Sequence, residues 1–484
     1  MQPEPAIVPR LTYLWRLSDP DPQSGPRRVE VPRFVAPSNG KHVQQNLFTT
    51  CGVTIAFDQE VTMQVTVTRC AGLDVHQATV VACVTIHGQR KKPTKEVRTF
   101  GTMTHDLEAL RDWLKAEGVT HVGMESTGVY WRPVHAVLED DFIVIVGNAR
   151  HIRNVPGRKT DVKDAEWIAT LVGHGLIQPS FVPPKPLREL RELLRYRRKL
   201  TEAQNTECNR LQKLLETAGI KLGSVATDVL GVSGRAMLRA LIEGVASPEE
   251  MAELARGRLR SKRAELALAL RGRVEAYHRF LLTMQLNRVE TMEKELEHLD
   301  TYIAEKLAPY DAEMALLRQI PGVDWVVAAV LIAEIGVDMD VFVGVHHLAA
   351  WAGLCPGSHE SAGKKKSVRA RKGNQHLRTM LVGAARAAAR TKGSYLKDKY
   401  HRLKARRGAM RAMVAIAHKI LVAAYHMLKK HVAYVDLGEA YLDRIDQTRT
   451  ASNLVRRLER LGYVVSAVPK AVVASRDESE VAAA

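Results

Sequence analysis

The sequence contains few cysteines and few aromatic residues, and it has no long apolar run. Its five cysteines form no CxxC pair, which argues against a disulfide framework and against a zinc knuckle. No stretch of about 18 apolar residues free of charge occurs, so no membrane span is expected. The first residues also lack the basic segment and the apolar stretch of a secretory signal. These absences favour a protein of a reducing cytoplasm.

The composition is that of a globular chain with an excess of positive charge. The 484 residues are 46% hydrophobic and 26% charged, which is enough for two or three folded domains. Lys and Arg number 71 and Asp and Glu number 53, a net charge of +18. Such an excess indicates a polyanionic partner, with nucleic acid as the first candidate and an anionic membrane as the second.

The positive charge is concentrated in residues 361–411. This segment has 17 Lys or Arg and one acidic residue, Asp398, whereas the remainder has 54 basic and 52 acidic residues. A solvated helix face is the alternative, but repulsion among so many cations favours a phosphate-binding surface. Its few aromatic residues indicate contact with nucleic-acid backbones more than base stacking. The candidate nucleic-acid-binding residues in it are Lys364, Lys365, Lys366, Arg369, Arg371, Lys372 and Arg378.

The pattern along the chain predicts several segments. Residues 1–62 are rich in Pro, Gln and Ser, so we expect a poorly ordered extension, and Met63 raises the hypothesis of an upstream start codon. Residues 63–182 alternate strand and helix patterns, which predicts an α/β domain with a mixed sheet. The remaining segments are predicted to be long helices (183–312), a compact helical region (313–435), and a helix with a tail (436–484).

The long helices of the middle segment carry charges along most of their length. Apolar positions recur three and four residues apart over about eight turns after Pro183, and a second long stretch runs from about Pro248 to Leu307. This pattern predicts an antiparallel helical hairpin or a coiled-coil dimerisation arm. A solvated helix pair covering the α/β domain is the alternative.

A Pro-Gly turn joins two helical patterns in the stretch MALLRQIPGVDWVVAAVLIAEIG. This arrangement resembles a helix-hairpin-helix element, in which backbone amides beside the glycine hold a DNA phosphate. Gly322 is therefore a candidate nucleic-acid-binding residue. An ordinary helix connection is the alternative.

Four acidic residues stand where an α/β domain would bring them together. Asp74 and Glu125 end two predicted strands, in GLDVH and VGMESTG. Asp161 and Asp164, in KTDVKDAEWIA, are spaced to lie on one face of a helix. Mutual repulsion among such carboxylates is relieved by hard divalent cations, of which Mg²⁺ prefers oxygen ligands. The alternative gives each acid a local role in a turn, a cap or the surface.

Three motifs together identify a family. GLDVHQ, GMESTGVYW and NARHIRNVPGRKTDVKDAEWIATL resemble the DEDD domain of transposases of the insertion sequence 110 family. That domain is similar to the RuvC resolvase, with a ribonuclease-H-like fold. The later stretches LLRQIPGVDWVVAAVLIAEIG and LAAWAGLCPGSHESAGKKKSVRARKGNQHLR resemble the C-terminal transposase domain of the same family. The resemblance covers roughly residues 68 to 400 and leaves residues 1–62 without a counterpart.

The resemblance implies a mechanism that the residues alone do not. In this family a serine attacks DNA and forms a transient 5′-phosphoserine link, and the matching serine is Ser361, with Ser358 and Ser367 as weaker candidates. The four carboxylates would bind Mg²⁺ and meet Ser361 in a composite site. Lys364, Lys365 and Arg371 would hold the scissile phosphate. Further expectations are a structured bridge RNA, gripped in part by the basic helix 188–198, a homodimer or homotetramer, and a location at the bacterial nucleoid.

Three hypotheses follow for the function. The first is a DNA recombinase of an insertion sequence, with Ser361 as nucleophile. The second is a RuvC-like junction-resolving nuclease, in which the same carboxylates activate water, or a related site-specific DNA invertase. The third is a basic scaffold that binds nucleic acid without catalysis. They differ in whether a covalent protein–DNA adduct forms and in whether the carboxylates matter.

Overall fold

The computed structural model describes most of the chain. The described residues are 47–50, 53–56, 65–88, 92–126, 128–149, 152, 164–357, 360–361, 364–365, 370, 372–445 and 447–467. The chain divides into two compact units, residues 1–66 and 67–484. In the first unit, strands β1 (Leu47–Thr50) and β2 (Val53–Ala56) pair antiparallel. Most of the predicted extension lies outside the described residues.

The second unit begins with a five-stranded mixed sheet in the order β5-β4-β3-β6-β7. Its strands are β3 (Arg69–Val75), β4 (Thr79–Ile86), β5 (Thr94–Gly101), β6 (His121–Glu125) and β7 (Ile143–Gly147). β4 pairs antiparallel with β3 and β5, whereas β6 runs parallel to β3 and β7. The prediction of an α/β layer with a mixed sheet is confirmed. Parallel strands here need crossover helices, and these helices cover the two faces of the sheet.

The two faces of the sheet carry different helices. Helices α1 (Thr104–Ala116) and α2 (Trp131–Leu138) lie on one face, over a core that includes Leu73 and Met124. Helix α3 (Asp164–Gly173) packs on the opposite face, against β3, β4 and β6. Its residues Ala165, Ile168, Ala169 and Val172 are buried there.

Two long helices form an antiparallel hairpin within the chain. They are α4 (Lys185–Thr217) and α9 (Ala276–Leu307). Near one end Arg197 pairs with Asp300, and further along Gln204 Nε2 donates to Glu293 Oε1 at 3.3 Å. As the residue number rises along α4 it falls along α9, so the helices run in opposite directions. The predicted antiparallel helix pair is present, but its second helix begins at Ala276 and not near Pro248, because residues 248–269 form shorter helices. A coiled-coil dimer stays a prediction.

The end of this hairpin is closed by a small helical bundle. Its helices are α5 (Leu222–Val225), α6 (Val232–Glu243), α7 (Pro248–Glu253) and α8 (Arg263–Ala269), with a 3-10 turn at Gly257–Lys262. Their apolar residues share a core with Leu211 and Leu215 of α4 and with Leu282 and Leu286 of α9. The bundle therefore fixes the two long helices to each other at this end.

A helical core follows, reached through a second 3-10 turn at Ala308–Tyr310. Its helices are α10 (Asp311–Leu317), α11 (Trp325–Ile335), α12 (Val345–Trp351), α13 (Gln375–Ala388), α14 (Tyr395–Arg407) and α15 (Ala409–Lys430). Two short strands, β8 (Glu360–Ser361) and β9 (Lys364–Lys365), lie between α12 and α13. The chain continues into α16 (Tyr441–Ile445) and α17 (Gln447–Glu459).

Helix α15 is long and apolar enough to cross a membrane by length and composition alone. Half of its apolar window is buried inside the protein, and it packs against α13 and α14. Ile416, Ile420 and Leu421 are fully buried in the same core as α11. The helix is therefore explained as the central helix of a packed core.

The Pro-Gly turn lies between α10 and α11, as the sequence predicts. Gly322 has a φ of 84°, a conformation that favours glycine. A Cβ at this position would collide with backbone atoms of Ala384 and Ala388, both in α13. The turn packs closely on α13, and this packing explains why glycine occupies position 322. Its predicted contact with a DNA phosphate is not tested by this packing.

Candidate active site

The first two predicted carboxylates end adjacent parallel strands. Leu73 of β3 is paired with Met124 of β6, so Asp74 and Glu125 occupy the next step along each strand. Neighbouring strands lie about 4.8 Å apart, which sets the separation of the two backbones here. Leu73 and Met124 point into the core under α1 and α2. Because successive side chains alternate, Asp74 and Glu125 lie on the face covered by α3.

Helix α3 brings a third carboxylate to the same edge. A Cβ on Gly72 would collide with the backbone of Ala165 and Ala169, so the first half of α3 lies directly over β3. The last residue, Gly173, lies at the other end of β3, where its carbonyl accepts from the Val67 amide at 3.1 Å. The helix thus runs antiparallel to β3. Its exposed first residue, Asp164, is at the sheet edge where β3 and β6 end.

We call Asp74, Glu125 and Asp164 the acidic edge. Asp161 lies outside the described residues, so its place relative to the acidic edge stays a prediction. His76, two residues after Asp74, has its Nε2 3.1 Å from Asp74 Oδ2. The sequence analysis did not single out His76, although its position in GLDVH places it beside the first carboxylate. Its side chain is largely exposed.

The donor chemistry of the acidic edge fits a divalent cation. Carboxylate oxygens are the ligands that Mg²⁺ prefers, and these carboxylates share one face of one edge. Among the described residues, no three or more His, Cys, Asp or Glu side chains are close enough together to hold a metal ion. Binding a cation there would therefore require the side chains to converge, with Asp161 as the fourth predicted ligand.

Ser361 lies in a β-hairpin between α12 and α13. Its pairing partner is Lys364, and Glu360 is paired with Lys365. A separate antiparallel bridge joins Pro356 and Ala370. We call the segment 356–370, of which residues 356–357, 360–361, 364–365 and 370 are described, the serine hairpin. Ser361 is therefore the last residue of β8 and Lys364 the first residue of β9.

The other predicted phosphate-binding residues divide into two groups. Lys372 is exposed just beyond the serine hairpin, and Arg378 is half-buried in α13. Lys366, Arg369 and Arg371 lie outside the described part of the chain, as do the weaker nucleophile candidates Ser358 and Ser367. The structure therefore describes the backbone of the serine hairpin at the predicted nucleophile and at Lys364 and Lys365.

A second group of cations is exposed where α14 meets α15. Lys404, Arg406 and Arg407 end α14, Gly408 turns the chain with a φ of 80°, and Arg411 follows in α15. Within the described residues, the ion pairs include Arg402 of this segment, with Asp398 and Asp443, but none of these four cations. We call Lys404, Arg406, Arg407 and Arg411 the basic corner.

The arginines of the basic helix 188–198 form ion pairs within the protein. Arg188 donates to both carboxylate oxygens of Glu139, at 2.7 and 2.6 Å. The other arginines also pair with acids: Arg191 and Arg195 with Glu334, Arg197 with Asp300, and Arg198 with Glu202. Sequence reasoning treated these arginines as candidates to grip RNA and missed the acids, which lie 4 to 143 residues away. Their charge is largely satisfied within the fold.

Two family models match the chain in the two regions that carry these sites. The DEDD transposase model of IS110 elements matches residues 71–220, which contain all but the first two residues of the sheet, α3 and α4. The model described as the transposase IS116/IS110/IS902 family matches residues 314–401, which contain the serine hairpin. The chain belongs to the IS110 family of transposases. A search of curated proteins returns no match.

Family membership establishes the general activity. The protein is an enzyme that acts on DNA, a transposase or recombinase of an insertion sequence. DNA is therefore a partner, and the hypothesis of a non-catalytic scaffold is wrong. The five-stranded mixed sheet is compatible with a ribonuclease-H-like N-terminal domain. A DEDD-type domain also indicates dependence on a divalent metal.

Proposed function

We propose that this transposase cuts and rejoins DNA through a covalent link to Ser361. The serine oxygen attacks the phosphorus of the scissile phosphodiester, and its proton is lost to a base or to solvent. The bond from phosphorus to the 3′ oxygen breaks, the 3′ oxygen leaves as a hydroxyl, and a 5′-phosphoserine forms. The 3′ hydroxyl of a second strand then attacks the same phosphorus and releases Ser361. The placement of three carboxylates at one sheet edge, in a chain that also carries the serine hairpin, supports this proposal.

The acidic edge would supply the metal-binding half of the site. Asp74, Glu125 and Asp164, with Asp161, are the residues that would hold Mg²⁺, because hard cations take oxygen ligands. A cation bound there stabilises negative charge on phosphate oxygens during phosphoryl transfer. The chain's own part is to place the carboxylates on one face, through the docking of α3 on Gly72.

Cations of the C-terminal region would hold the substrate. Lys364, Lys365 and Arg371 would bind the scissile phosphate, since cations stabilise the charge that develops on it. A structured bridge RNA would select the DNA by base pairing, which removes the need for a base-reading helix. Exchange between two duplexes requires several active sites, so we also propose a homodimer or homotetramer, with the α4–α9 hairpin as a candidate contact.

The test is a search for the covalent adduct. Purified protein is incubated with Mg²⁺, RNA transcribed from the flanking non-coding stretch and end-labelled DNA of the element's end, and the products are run on a denaturing protein gel. We expect a labelled protein band that Ser361→Ala and Asp74→Asn both abolish. Ser358→Ala and Ser367→Ala are the matched controls, and they should keep the band.

Other results would point to the alternatives. Cleaved DNA without labelled protein, unchanged in Ser361→Ala, would establish water as the nucleophile and a RuvC-like nuclease. An adduct on substrates with inverted sites, but none on element ends, would favour an invertase. Loss of the band in Ser367→Ala and its survival in Ser361→Ala would move the nucleophile along the serine hairpin.

A further inference from the structure

A buried carboxylate lies between the long helix α4 and the helical core. Glu334 of α11 is only 2% exposed. Arg195 of α4 donates to both of its oxygens, from Nε at 2.9 Å and from Nη2 at 3.0 Å. Arg191 Nε lies 3.2 Å from Oε2 of the same carboxylate. Such bidentate, charge-assisted bonds are directional, so they fix the orientation of Glu334 relative to α4.

A third donor comes from the base of the serine hairpin. Asn374 Nδ2 donates to Glu334 Oε2 at 2.6 Å. Asn374 Oδ1 accepts from the backbone amide of Leu377 at 3.1 Å and so caps α13. The backbone amide of Asn374 donates to the Trp351 carbonyl at 3.0 Å. The side-chain amide of Asn374 thus uses both of its polar atoms: Oδ1 caps the helix and Nδ2 donates to the buried carboxylate.

The opposite side of the hairpin base touches the same cluster. The Arg191 guanidinium lies 5.5 Å from the ring centre of Phe181 and 5.9 Å from that of Trp351, which ends α12. Arg191 Nε also donates to the Ala333 carbonyl at 2.8 Å. Burial lowers the pKa of Arg191 to about 10, so the guanidinium remains charged at neutral pH. Trp351 and Asn374, which flank the serine hairpin, are therefore both held by one buried cluster.

We propose that Glu334 is a positioning residue for the serine hairpin, acting through Asn374. By accepting from Asn374 while held by Arg191 and Arg195, it fixes the base of the hairpin on α4, the helix that leads from the DEDD domain. A cap of α13 alone needs only an oxygen, which Ser or Asp supplies equally well. The bond to Glu334 requires the side-chain N–H of Asn374, which Ser and Asp cannot supply in the same place. This second bond distinguishes positioning from capping. The functional consequence rests on the proposed role of Ser361.

The variant Asn374→Ser separates the two bonds. Serine keeps a capping oxygen for α13 but is too short to donate to Glu334. Hydrogen exchange of the full chain is measured over residues 356–370 and over α13. We expect amides of the serine hairpin to exchange roughly tenfold faster or more, since a hydrogen bond to a charged group is lost. Exchange in α13 should be unchanged.

Two further variants calibrate the result. Asn374→Asp keeps the cap and places a second carboxylate against Glu334, so it should accelerate exchange of the serine hairpin more than Asn374→Ser. Ser394→Ala removes the cap of α14, whose Ser394 Oγ accepts from the Lys397 amide, and has no link to Glu334. It should loosen α14 and leave the serine hairpin unchanged. Unchanged hairpin exchange in both Asn374 variants overturns the proposal.

Adduct formation then tests the functional part. At saturating DNA, Asn374→Ser should lower the rate of adduct formation roughly tenfold or more, with DNA affinity unchanged. A purely structural residue would lower folded yield and affinity together. An equal adduct rate in the variant and the wild type overturns positioning for catalysis. If the Asn374 variants show faster hairpin exchange but the wild-type protein forms no adduct, the positioning role stands and Ser361 is rejected as nucleophile.

Discussion

The acidic edge and the serine hairpin hold their candidate groups in different ways. Asp74 and Glu125 lie in the central strands of a sheet, and Asp164 begins a helix whose backbone touches that sheet at Gly72. Ser361 lies in a pair of two-residue strands. Its hairpin is tied to the rest of the protein at its base, by Asn374 and Trp351. The carboxylates are placed by the packing of α3 on the sheet, whereas the described contacts at the hairpin base are the hydrogen bonds of Asn374 and the ring contact of Trp351.

This difference concerns the kind of contact that places each candidate group. Strand and helix backbones in close contact tolerate little added volume, whereas a side-chain hydrogen bond is lost with a single substitution. The predictions below change the acidic edge, the serine hairpin or both, and the last one changes the basic corner.

The largest effect is expected from removing either the Asp74 carboxylate or the Ser361 hydroxyl. Asp74→Asn and Ser361→Ala should each lower strand exchange about a thousandfold or more, because each removes a group needed for the same step. The double variant should be no worse than the more damaged single variant. The measurement is the initial rate of strand joining with one fixed DNA. Multiplied losses in the double variant would mean that the two regions act in separate reactions.

The next effect concerns the packing of the acidic edge. Gly72→Ala would force a methyl group into the backbone of α3, and overpacking of this kind costs about 1–3 kcal/mol or more. Hydrogen exchange in β3 and α3 measures the loss. Gly88→Ala is the matched control, because nothing lies within 4 Å of its Cβ position. Equal stability of the two variants would contradict the close contact between α3 and β3.

The corresponding change at the serine hairpin is Gly373→Ala. A Cβ there would collide with backbone atoms of Trp351 and Gly353, at the hairpin base. Because Gly373 is exposed, we expect a smaller loss of stability than in Gly72→Ala, on the order of 1 kcal/mol. Adduct formation should nevertheless fall, since the base of the hairpin shifts. A larger loss of global stability than in Gly72→Ala would reverse the contrast between the two regions.

The sequence predicted much of the acidic edge because its information is local. Strand ends are marked by GLDVH and VGMES, and the period of two in each strand sets the face of each carboxylate. The predicted mixed sheet and the long antiparallel helices follow from the same periodicities. The contact of α3 with Gly72 was not predicted, because a strand glycine alone does not show which backbone approaches it.

The anchoring of the serine hairpin was beyond sequence reasoning for a different reason. Arg191, Arg195, Glu334 and Asn374 come from three segments far apart in the chain, and no spacing rule connects them. In the sequence Arg191 and Arg195 belong to a basic helix, which indicates an exposed phosphate-binding face. Only the fold shows that a buried acid uses their charge. Ser361 itself was predicted from family resemblance and not from its own environment.

The smallest effect concerns the basic corner, which belongs to neither region and which we expect to bind the DNA backbone through its exposed cations. Arg406→Ala should lower the slope of log affinity against log salt by about 0.9, because one phosphate contact releases about that many counterions. Lys213→Ala, an exposed residue of α4 far along the helical hairpin, is the control and should leave the slope unchanged. Binding is measured by fluorescence anisotropy across a salt series with one duplex. Because Arg406 is exposed at the end of α14, the rate of strand joining at saturating DNA should remain within about twofold. If Arg406→Ala changes that rate and not the slope, the basic corner contributes to the chemical step, and the acidic edge and the serine hairpin are not the only regions that carry the reaction.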